Sequence, residues 1–365
     1  MKKKTREILR ARLLHWFAEH GRDLPWRRTY SPYHIWISEI MLQQTQMDRA
    51  VSYFERWMKH LPHIAAVADA PEEKILKLWE GLGYYNRARN IHRSALLLLQ
   101  NHMGKLPEDY DELLRLPGIG KYTAGAIMSL AFNRDYPVVD ANVERIFSRL
   151  FNISTPIKSI ENRNFLWETA QDLLPAGKAR SFNQALMELG GLICLPEKPQ
   201  CRTCPFTDIC EAFRHDLIAE RPVKPGKKRT VYIEMATGIL VHRNRIFIQK
   251  RPSEGVWANL WEFPGGQLEK NESPEEALVR EFAEETELAV GRLVKIGVVK
   301  HSYTFYRVTL HCYFCRLTDG GTTPVLHAAQ QYRWISRQEL PNHAFPAGHR
   351  KLLELLQHHA TAFPG

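Results

Sequence analysis

The sequence predicts a multidomain protein, an all-α amino-terminal part joined by a cationic linker to an α+β carboxy-terminal part. Three observations carry this. Up to about residue 210 the apolar side chains recur at helical spacing. Arg221-Pro222-Val223-Lys224-Pro225-Gly226-Lys227-Lys228-Arg229 then lacks any apolar period and reads as an exposed linker. Beyond it, short β-rich runs flank one amphipathic helix. The 365 residues are enough for two or three domains. With 44% hydrophobic and 25% charged residues the composition excludes a disordered or fibrous chain. No apolar run reaches the roughly 18 residues that a membrane span needs. Met1-Lys2-Lys3-Lys4 begins like a signal peptide, but Ile8, Leu9, Leu13, Leu14, Trp16 and Phe17 recur among charges as on a helix, so a cytoplasmic protein is expected.

The elements follow in order. Glu39 to Met58 carries Ile40, Met41, Val51, Phe54 and Trp57 and breaks near Pro62. Ile75 to Leu99 repeats the pattern, interrupted at Gly81-Leu82-Gly83. Leu113 to Phe132 reads as two helices split by Pro117-Gly118-Ile119-Gly120. In the second part Thr237–Val241 and Ile246–Ile248 read as strands, Ser302–Leu317 as a strand pair, and Pro274–Thr286 as the helix. Lysine and arginine total 50 against 40 acids, a net charge of +10. That excess points to a polyanionic partner, nucleic acid first, although solubility alone is the plain alternative.

Four of the six cysteines, Cys194, Cys201, Cys204 and Cys210, are crowded together with spacings of six, two and five residues. Four soft thiolates this close can surround one centre, an iron–sulfur cluster or zinc. Only one C-x2-C knuckle is present, where zinc ribbons use two. Cys312 and Cys315, three apart on a strand, point to opposite faces and read as packing.

Between two helices, Gly118 and Gly120 allow a tight turn whose bare backbone can approach a phosphate. The following helix offers free amides and Lys121 a charge. A simple helix cap is the alternative. Asp140, after Val138-Val139 and before a helix, reads by itself as an N-cap. Glu39 lies in Trp36-Ile37-Ser38-Glu39-Ile40-Met41-Leu42-Gln43-Gln44-Thr45-Gln46. It is either a solvated charge in a first helical turn or, among these apolar and amide neighbours, a carboxyl with raised pKa suited to general-acid work.

C-x6-C-x2-C-x5-C resembles the iron–sulfur loop of the endonuclease III superfamily of DNA glycosylases, and Leu116-Pro117-Gly118-Ile119-Gly120-Lys121 its helix–hairpin–helix. The segment around Glu39 is similar, almost letter for letter, to the catalytic segment of MutY-type adenine DNA glycosylases. Leu24-Pro25-Trp26-Arg27, Gly81 to Arg89 and Phe182-Asn183-Gln184-Ala185 follow the same pattern. The resemblance implies a helical glycosylase domain over 1–193, a [4Fe–4S] loop over 194–210 held by the four cysteines, a linker over 211–230 and a Nudix-like domain over 231–365. It implies a monomer acting on double-stranded DNA with adenine mispaired with 8-oxoguanine. Glu39 would protonate ring nitrogen 7 of adenine and help activate water, and Asp140 would shield the sugar cation. Trp26, Arg27, Leu42 and Gln184 would line the adenine pocket. Gln44 and Tyr84 would wedge into the base stack, and Thr45, Gly118, Gly120, Lys121 and Asn142 would contact DNA. Packing is the plain reading of Tyr84.

Bifunctional relatives carry a lysine where Tyr122 stands, and a phenol cannot form their Schiff base. The resemblance therefore implies hydrolysis without strand scission, with Tyr122 hydrogen-bonding near the sugar or water. Tyr122 as mere packing stays open. Gly266-x5-Glu272-x7-Arg280-Glu281-Phe282-Ala283-Glu284-Glu285-Thr286-Glu287-Leu288 resembles a Nudix box. Glu281, Glu284 and Glu285 share one helix face suited to magnesium, or are a solvated acidic face. Nucleotide pyrophosphohydrolysis tethered to a DNA-binding module is the alternative function. A mismatch-binding protein without catalysis is disfavoured by the presence of both acids. Glu287 replaces the box's late glycine, a cost on the order of 1 kcal/mol if it forms the left-handed cap. Ser273 is expected to cap the helix and Glu276 to complete the box with it. Tyr303 and Thr304 align with the family's lesion-reading loop, where Phe305 takes the place of a histidine.

Overall fold

The computed structural model describes residues 3–358 except 225, 227–229, 320 and 322. Two compact units emerge: Met1–Asp69 with Asn90–Lys227, and Ala70–Arg89 with Lys228–Gly365. Among the described residues no helix is long and apolar enough to cross a membrane.

The first unit is helical throughout. Its apolar centre gathers Leu9, Leu13 and Trp16 from helix Lys3–His20, Val143, Ile146, Phe147 and Leu150 from Ala141–Leu150, and Phe182, Ala185, Leu186 and Leu189 from Ala179–Leu192. The helical stretch read from Glu39 to Met58 is two helices, Pro32–Leu42 and Met47–His60. The chain turns between them with Gln44 at φ +58°. Gln43-Gln44-Thr45-Gln46, between Leu42 and Met47, carries no apolar side chain and so leaves nothing there to bury as a helix. The expected split at Pro117–Gly120 is present, separating Tyr110–Leu114 from Lys121–Ala126, which continues as a wider π turn over Ile127–Ala131.

Two expected boundaries differ from the structure. Arg221-Pro222-Val223 is not an exposed linker: Arg221 is buried, its carbonyl accepts from Arg149 Nε at 3.1 Å, and the Val223 carbonyl accepts from Ile157 N at 3.1 Å. Residues 70–89, read as part of a continuous helical domain, instead share a unit with the carboxy-terminal part. From helix Glu72–Trp79 and its end, the Lys77 ammonium donates to the His343 carbonyl and the Glu80 carboxylate accepts Phe345 N–H.

The second unit is a mixed seven-stranded sheet: β1 Val231–His242, β2 Arg245–Lys250, β3 Trp261–Glu262, β4 Gly265–Gln267, β5 Val290–Tyr303, β6 Tyr306–Leu317 and β7 Gln331–Ile335. Strands β1 and β6 pair in parallel from Val231↔Tyr306 to Leu240↔Cys315, and β5 pairs antiparallel with β6. Period-two alternation sends Cys312 and Phe314 to one face with Phe345 and Leu352, and Tyr313 and Cys315 to the other with Leu278 and Phe282. The cysteine pair thus packs on opposite faces as expected. Leu278 and Phe282, one turn apart on helix Pro274–Thr286, are fully buried, each contributing about 1.5–3 kcal/mol.

That helix begins at the Ser273–Glu276 capping box and ends at Glu287, which is left-handed at φ +54°, ψ +14°. The exposed pair between Glu287 and His327 at 2.8 Å offsets little of the backbone cost. Glu287→Gly is expected to stabilise the second unit by about 1 kcal/mol, read as a shift of its denaturation midpoint at unchanged slope.

Candidate active site

Helix Pro32–Leu42 is apolar almost all round, with Ile35, Trp36, Ile37, Ile40 and Met41 buried, so Glu39 goes inside with them and is 3% exposed. Its Oε2 accepts the Tyr122 hydroxyl at 2.7 Å. Burial raises the Glu39 pKa to about 7; the nearby Asp140 adds to the rise, while Tyr122 and Arg27 oppose it. At neutral pH a large share of Glu39 therefore holds a proton. Burial raises Tyr122 too, and Glu39 and Asp140 nearby raise it further, so it stays a hydroxyl donor.

Asp140 is the N-cap of helix Ala141–Leu150, as one of its two readings held. Its Oδ1 accepts Val143 N–H at 2.8 Å and its Oδ2 accepts Asn142 Nδ2 at 2.7 Å. Burial raises its pKa despite those bonds. Asn142 Oδ1 in turn accepts Arg145 Nη2 at 2.8 Å, and Arg145 donates to the carbonyls of Gly190 at 2.8 Å and Cys194 at 2.6 Å. Asn142 is thus held from both ends. The Gly190 position has no room for a side chain, since a Cβ there would lie 2.4 Å from Asn142 Cβ.

Glu39, Tyr122 and Asp140 open into one cleft of about 870 Å³, large enough for a small organic ligand. The same cleft is lined by Trp26, Arg27, Leu42 and Gln184, and also by Gln44, Thr45, Gly118, Gly120, Lys121 and Asn142. Gly118 takes φ +79°, and a Cβ there would meet Asn90 at 2.8 Å. Gly120 caps helix Lys121–Ala126 in open space, so its backbone is approachable. Lys121 is exposed, its Nζ 4.1 Å from the centre of the Trp167 ring. Tyr84, Tyr303 and Thr304 belong to the second unit. Tyr84 is 39% exposed on a left-handed turn at φ +49°. Thr304 is exposed at the tip of the β5–β6 hairpin at φ +50°, and the side chain of Tyr303 lies outside the described residues.

Sequence reasoning missed Glu188, Arg22 and Tyr30. Glu188 is 1% exposed and accepts Arg22 Nε at 2.5 Å and Arg27 Nη2 at 2.8 Å. Burial would raise this carboxyl, but the two guanidinium groups outweigh it and hold it below its ordinary value. Tyr30 accepts Gln184 Nε2 at 3.3 Å. The available signal was helical spacing: Gln184 and Glu188 are one turn apart, so a residue assigned to the pocket implicates the next on its face.

Cys194, Cys201, Cys204 and Cys210 line one further cavity, walled by Ile146, Leu150, Leu189 and Phe206. Burial pushes the thiols of Cys201 and Cys210 up and that of Cys204 up to about 12. Arg149 Nη1 lies 3.3 Å from Cys194 Sγ. Cysteine thiolates bordering an apolar hollow are the donor type a soft cationic centre takes, and it would deprotonate them on binding, but the four are not drawn together here as a ligand set. In the second unit Arg280 holds Glu272, Glu281 and Glu284, at 2.8, 3.0 and 2.9 Å. Glu285 turns inward to accept Gln249 Nε2 at 2.9 Å and Gly265 N–H at 3.2 Å, and burial raises its pKa to about 7. Among the described residues no three His, Cys, Asp or Glu side chains converge as a metal site.

Residues 37–171 match the family described as HhH-GPD superfamily base excision DNA repair protein, and residues 236–355 match the NUDIX domain. An adenine DNA glycosylase of Buchnera aphidicola subsp. Baizongia pistaciae is 41% identical over 257 residues, 69% of this chain and 72% of the relative. The adenine DNA glycosylase of Mus musculus is 31% identical across 96% of this chain and 78% of its own length. Among solved structures a thermostable thymine-DNA glycosylase aligns at 33% identity with a TM-score of 0.54, covering 58% of this chain and 98% of that one. An endonuclease III–DNA complex shares the fold at 23% identity and a TM-score of 0.52, over 60% of this chain and 99% of that one. With an acid pair facing one cleft in a helix–hairpin–helix unit, and relatives matched over most of its length, the chain belongs to the adenine DNA glycosylase family of base-excision repair enzymes.

Proposed function

We propose that this protein hydrolyses the N-glycosidic bond of adenine mispaired with 8-oxoguanine, or with guanine, in double-stranded DNA, without cutting the strand. The observation that carries the reading is the Glu39–Tyr122 hydrogen bond in the cleft shared with Asp140. An extruded adenine enters between Trp26, Arg27, Leu42 and Gln184. Glu39, about half of it protonated at neutral pH, gives its proton to ring nitrogen 7, so the base leaves as a neutral molecule. Positive charge then develops on the sugar, and the Asp140 carboxylate, fixed by Val143 N–H and Asn142, stabilises it. Water adds to the cation and passes a proton to Glu39, which resets the acid. No lysine stands at Tyr122 to take the water's place.

The deciding experiment is a duplex carrying adenine opposite 8-oxoguanine, treated with alkali after incubation. Breaks appearing only after alkali support the reading; breaks without alkali overturn the monofunctional step, and no breaks overturn the reaction. Asp140→Asn supplies a second check, because asparagine caps a helix as well as aspartate does. Its denaturation midpoint should stay put while single-turnover base release falls about 10²–10³-fold.

The four cysteines are proposed to hold a [4Fe–4S] cluster, which when bound ties the segment 194–210 together by iron–thiolate bonds. The partner is double-stranded DNA, the protein acts as a monomer, and the compartment is cytoplasmic. Thr304 is proposed to hydrogen-bond 8-oxoguanine from the hairpin tip, where Phe305 lies 4.4 Å ring to ring from Tyr306. Phe305→His adds a donor there and should raise the preference for 8-oxoguanine over guanine by about tenfold, measured as the ratio of binding constants for the two duplexes. A second reading, nucleotide pyrophosphohydrolysis by residues 236–355, has one observation in its favour. Gln249 Oε1 is buried beside Glu285 without a hydrogen-bond partner among the described residues, as a hydrated magnesium would leave it. Release of pyrophosphate or phosphate from nucleotides with magnesium tests it.

A further inference from the structure

Tyr84 sits early in the chain, yet its turn belongs to the same unit as the Nudix-like sheet. The attachment is specific. Glu80, which ends helix Glu72–Trp79, accepts Phe345 N–H on Oε1 at 2.8 Å and Lys77 Nζ on Oε2 at 2.5 Å. Tyr85, 6% exposed, donates its hydroxyl to the Phe345 carbonyl at 3.3 Å. Both backbone groups of one residue are thus taken up by side chains on either side of the Tyr84 turn. Phe345 itself is an immobile anchor, fully buried and stacked on Phe263 at 5.3 Å. Lys77 Nζ reinforces the contact by donating to the His343 carbonyl at 2.9 Å.

The turn is also stiff within itself. Gly81 and Gly83 take φ +98° and +74°, and Trp79 Nε1 donates to the Gly83 carbonyl at 3.1 Å. Arg87 Nη2 donates to the carbonyls of Leu82 at 3.2 Å and Gly83 at 3.0 Å, with its guanidinium 5.7 Å from the Tyr84 ring centre. A left-handed tyrosine is a strained conformer that persists only where its surroundings hold it. Here those surroundings include the core of the carboxy-terminal unit.

We propose that Glu80 is a positioning residue: with Tyr85 it clips the Tyr84 turn to the Phe345 backbone, so that the carboxy-terminal unit presents the ring that enters the base stack. The inference rests on Tyr84 acting as the wedge. It puts the wedge, which falls in the stretch matching the HhH-GPD family, in the same compact unit as the lesion-reading hairpin. A change in the packing of Phe345 would then reach DNA through Tyr84 with no change in the residues that cleave the bond. An intercalating side chain gains its energy only if its backbone does not yield, so loss of the clip should weaken wedging more than folding.

The test uses the full-length protein and an uncleavable duplex with 2′-fluoro-2′-deoxyadenosine opposite 8-oxoguanine and 2-aminopurine stacked beside the lesion. Its fluorescence rises when a wedge unstacks it. Tyr84→Ala should abolish the rise. Glu80→Ala should weaken lesion-duplex binding about tenfold, the worth of one charge-assisted hydrogen bond, and cut the rise at saturating protein. Glu80→Gln, which still accepts Phe345 N–H, should restore most of the signal, and Tyr85→Phe should fall between. If Tyr84→Ala removes the rise but Glu80→Ala and Tyr85→Phe leave it intact, the clip is refuted while the wedge stands. If Tyr84→Ala itself leaves the rise unchanged, the wedge is refuted and the clip with it. Equal loss in Glu80→Ala and Glu80→Gln, with unchanged near-ultraviolet circular dichroism, also overturns the clip, because an acceptor for Phe345 would not then matter.

Discussion

Glu39→Gln should slow base release by orders of magnitude and, at the same time, make the protein more stable above neutral pH. Glutamine fills the same space and can still accept the Tyr122 hydroxyl, but it has no proton to give; loss of a general acid lowers single-turnover rates by about 10²–10⁴-fold. The stability gain follows from linkage. The Glu39 pKa is about 7 in the folded protein, against 4.5 ordinarily. Below 4.5 the carboxyl is protonated in both states and its burial costs no ionisation. As pH rises through 4.5 toward 7 the unfolded chain loses this proton first, so the stability contribution is lost across that window. The deficit above pH 7 is about 3 kcal/mol at most. Denaturation of the wild type between pH 5 and pH 8 should show this decline, and Glu39→Gln should lack it. The wild-type rate should fall as pH rises above about 7, where the acid is spent. A variant that loses activity and stability together would assign Glu39 to structure instead.

That pairing of signs also shows why the site was legible in the sequence. An acid among Ile37, Ile40, Met41 and Leu42 has no solvated face on a helix, so its burial could be read from its neighbours alone. Asp140 was legible for a local reason as well, since a cap is decided by the next three residues. The helical amino-terminal half and the helix Pro274–Thr286 with its capping box rest on short-range patterns, and both are present. What escaped is non-local. Parallel pairing of β1 with β6 joins residues 75 positions apart at Val231↔Tyr306, and strand propensity carries no record of partner or direction. The membership of residues 70–89 in the second unit depends on Glu80 and Tyr85 meeting the backbone of Phe345, and backbone partners leave no mark in the side-chain code. The break at Gln43–Gln46 was visible only as an absence of apolar residues. Glu188 looked like any helical acid until Arg22 and Arg27 came to meet it from far away in sequence.

Glu188 carries the second large effect, on stability. It is a buried carboxylate shared by two guanidinium groups, and it accepts Arg22 N–H at 3.1 Å as well. Glu188→Ala removes one charge and leaves two opposite ones facing a cavity, and breaking a buried pair in this way costs about 3–5 kcal/mol. Glu188→Gln should cost less, since the amide oxygen still accepts one donor. The pH dependence has the opposite sign to that of Glu39. The carboxyl is held below its ordinary 4.5, so its contribution is present above that value and is lost as pH falls through the folded value. The loss also reaches the chemistry, because Arg27, one wall of the cleft, is aimed by Glu188 and by the Arg22 carbonyl at 2.9 Å. An unclamped Arg27 should raise the half-saturating DNA concentration more than it lowers the single-turnover rate. The control is Glu188→Ala combined with Arg27→Met, which removes one orphaned charge and fills its space. That double variant should recover part of the lost denaturation midpoint, and if it is instead as unstable as the two single changes summed, Glu188 and Arg27 are not an interacting pair.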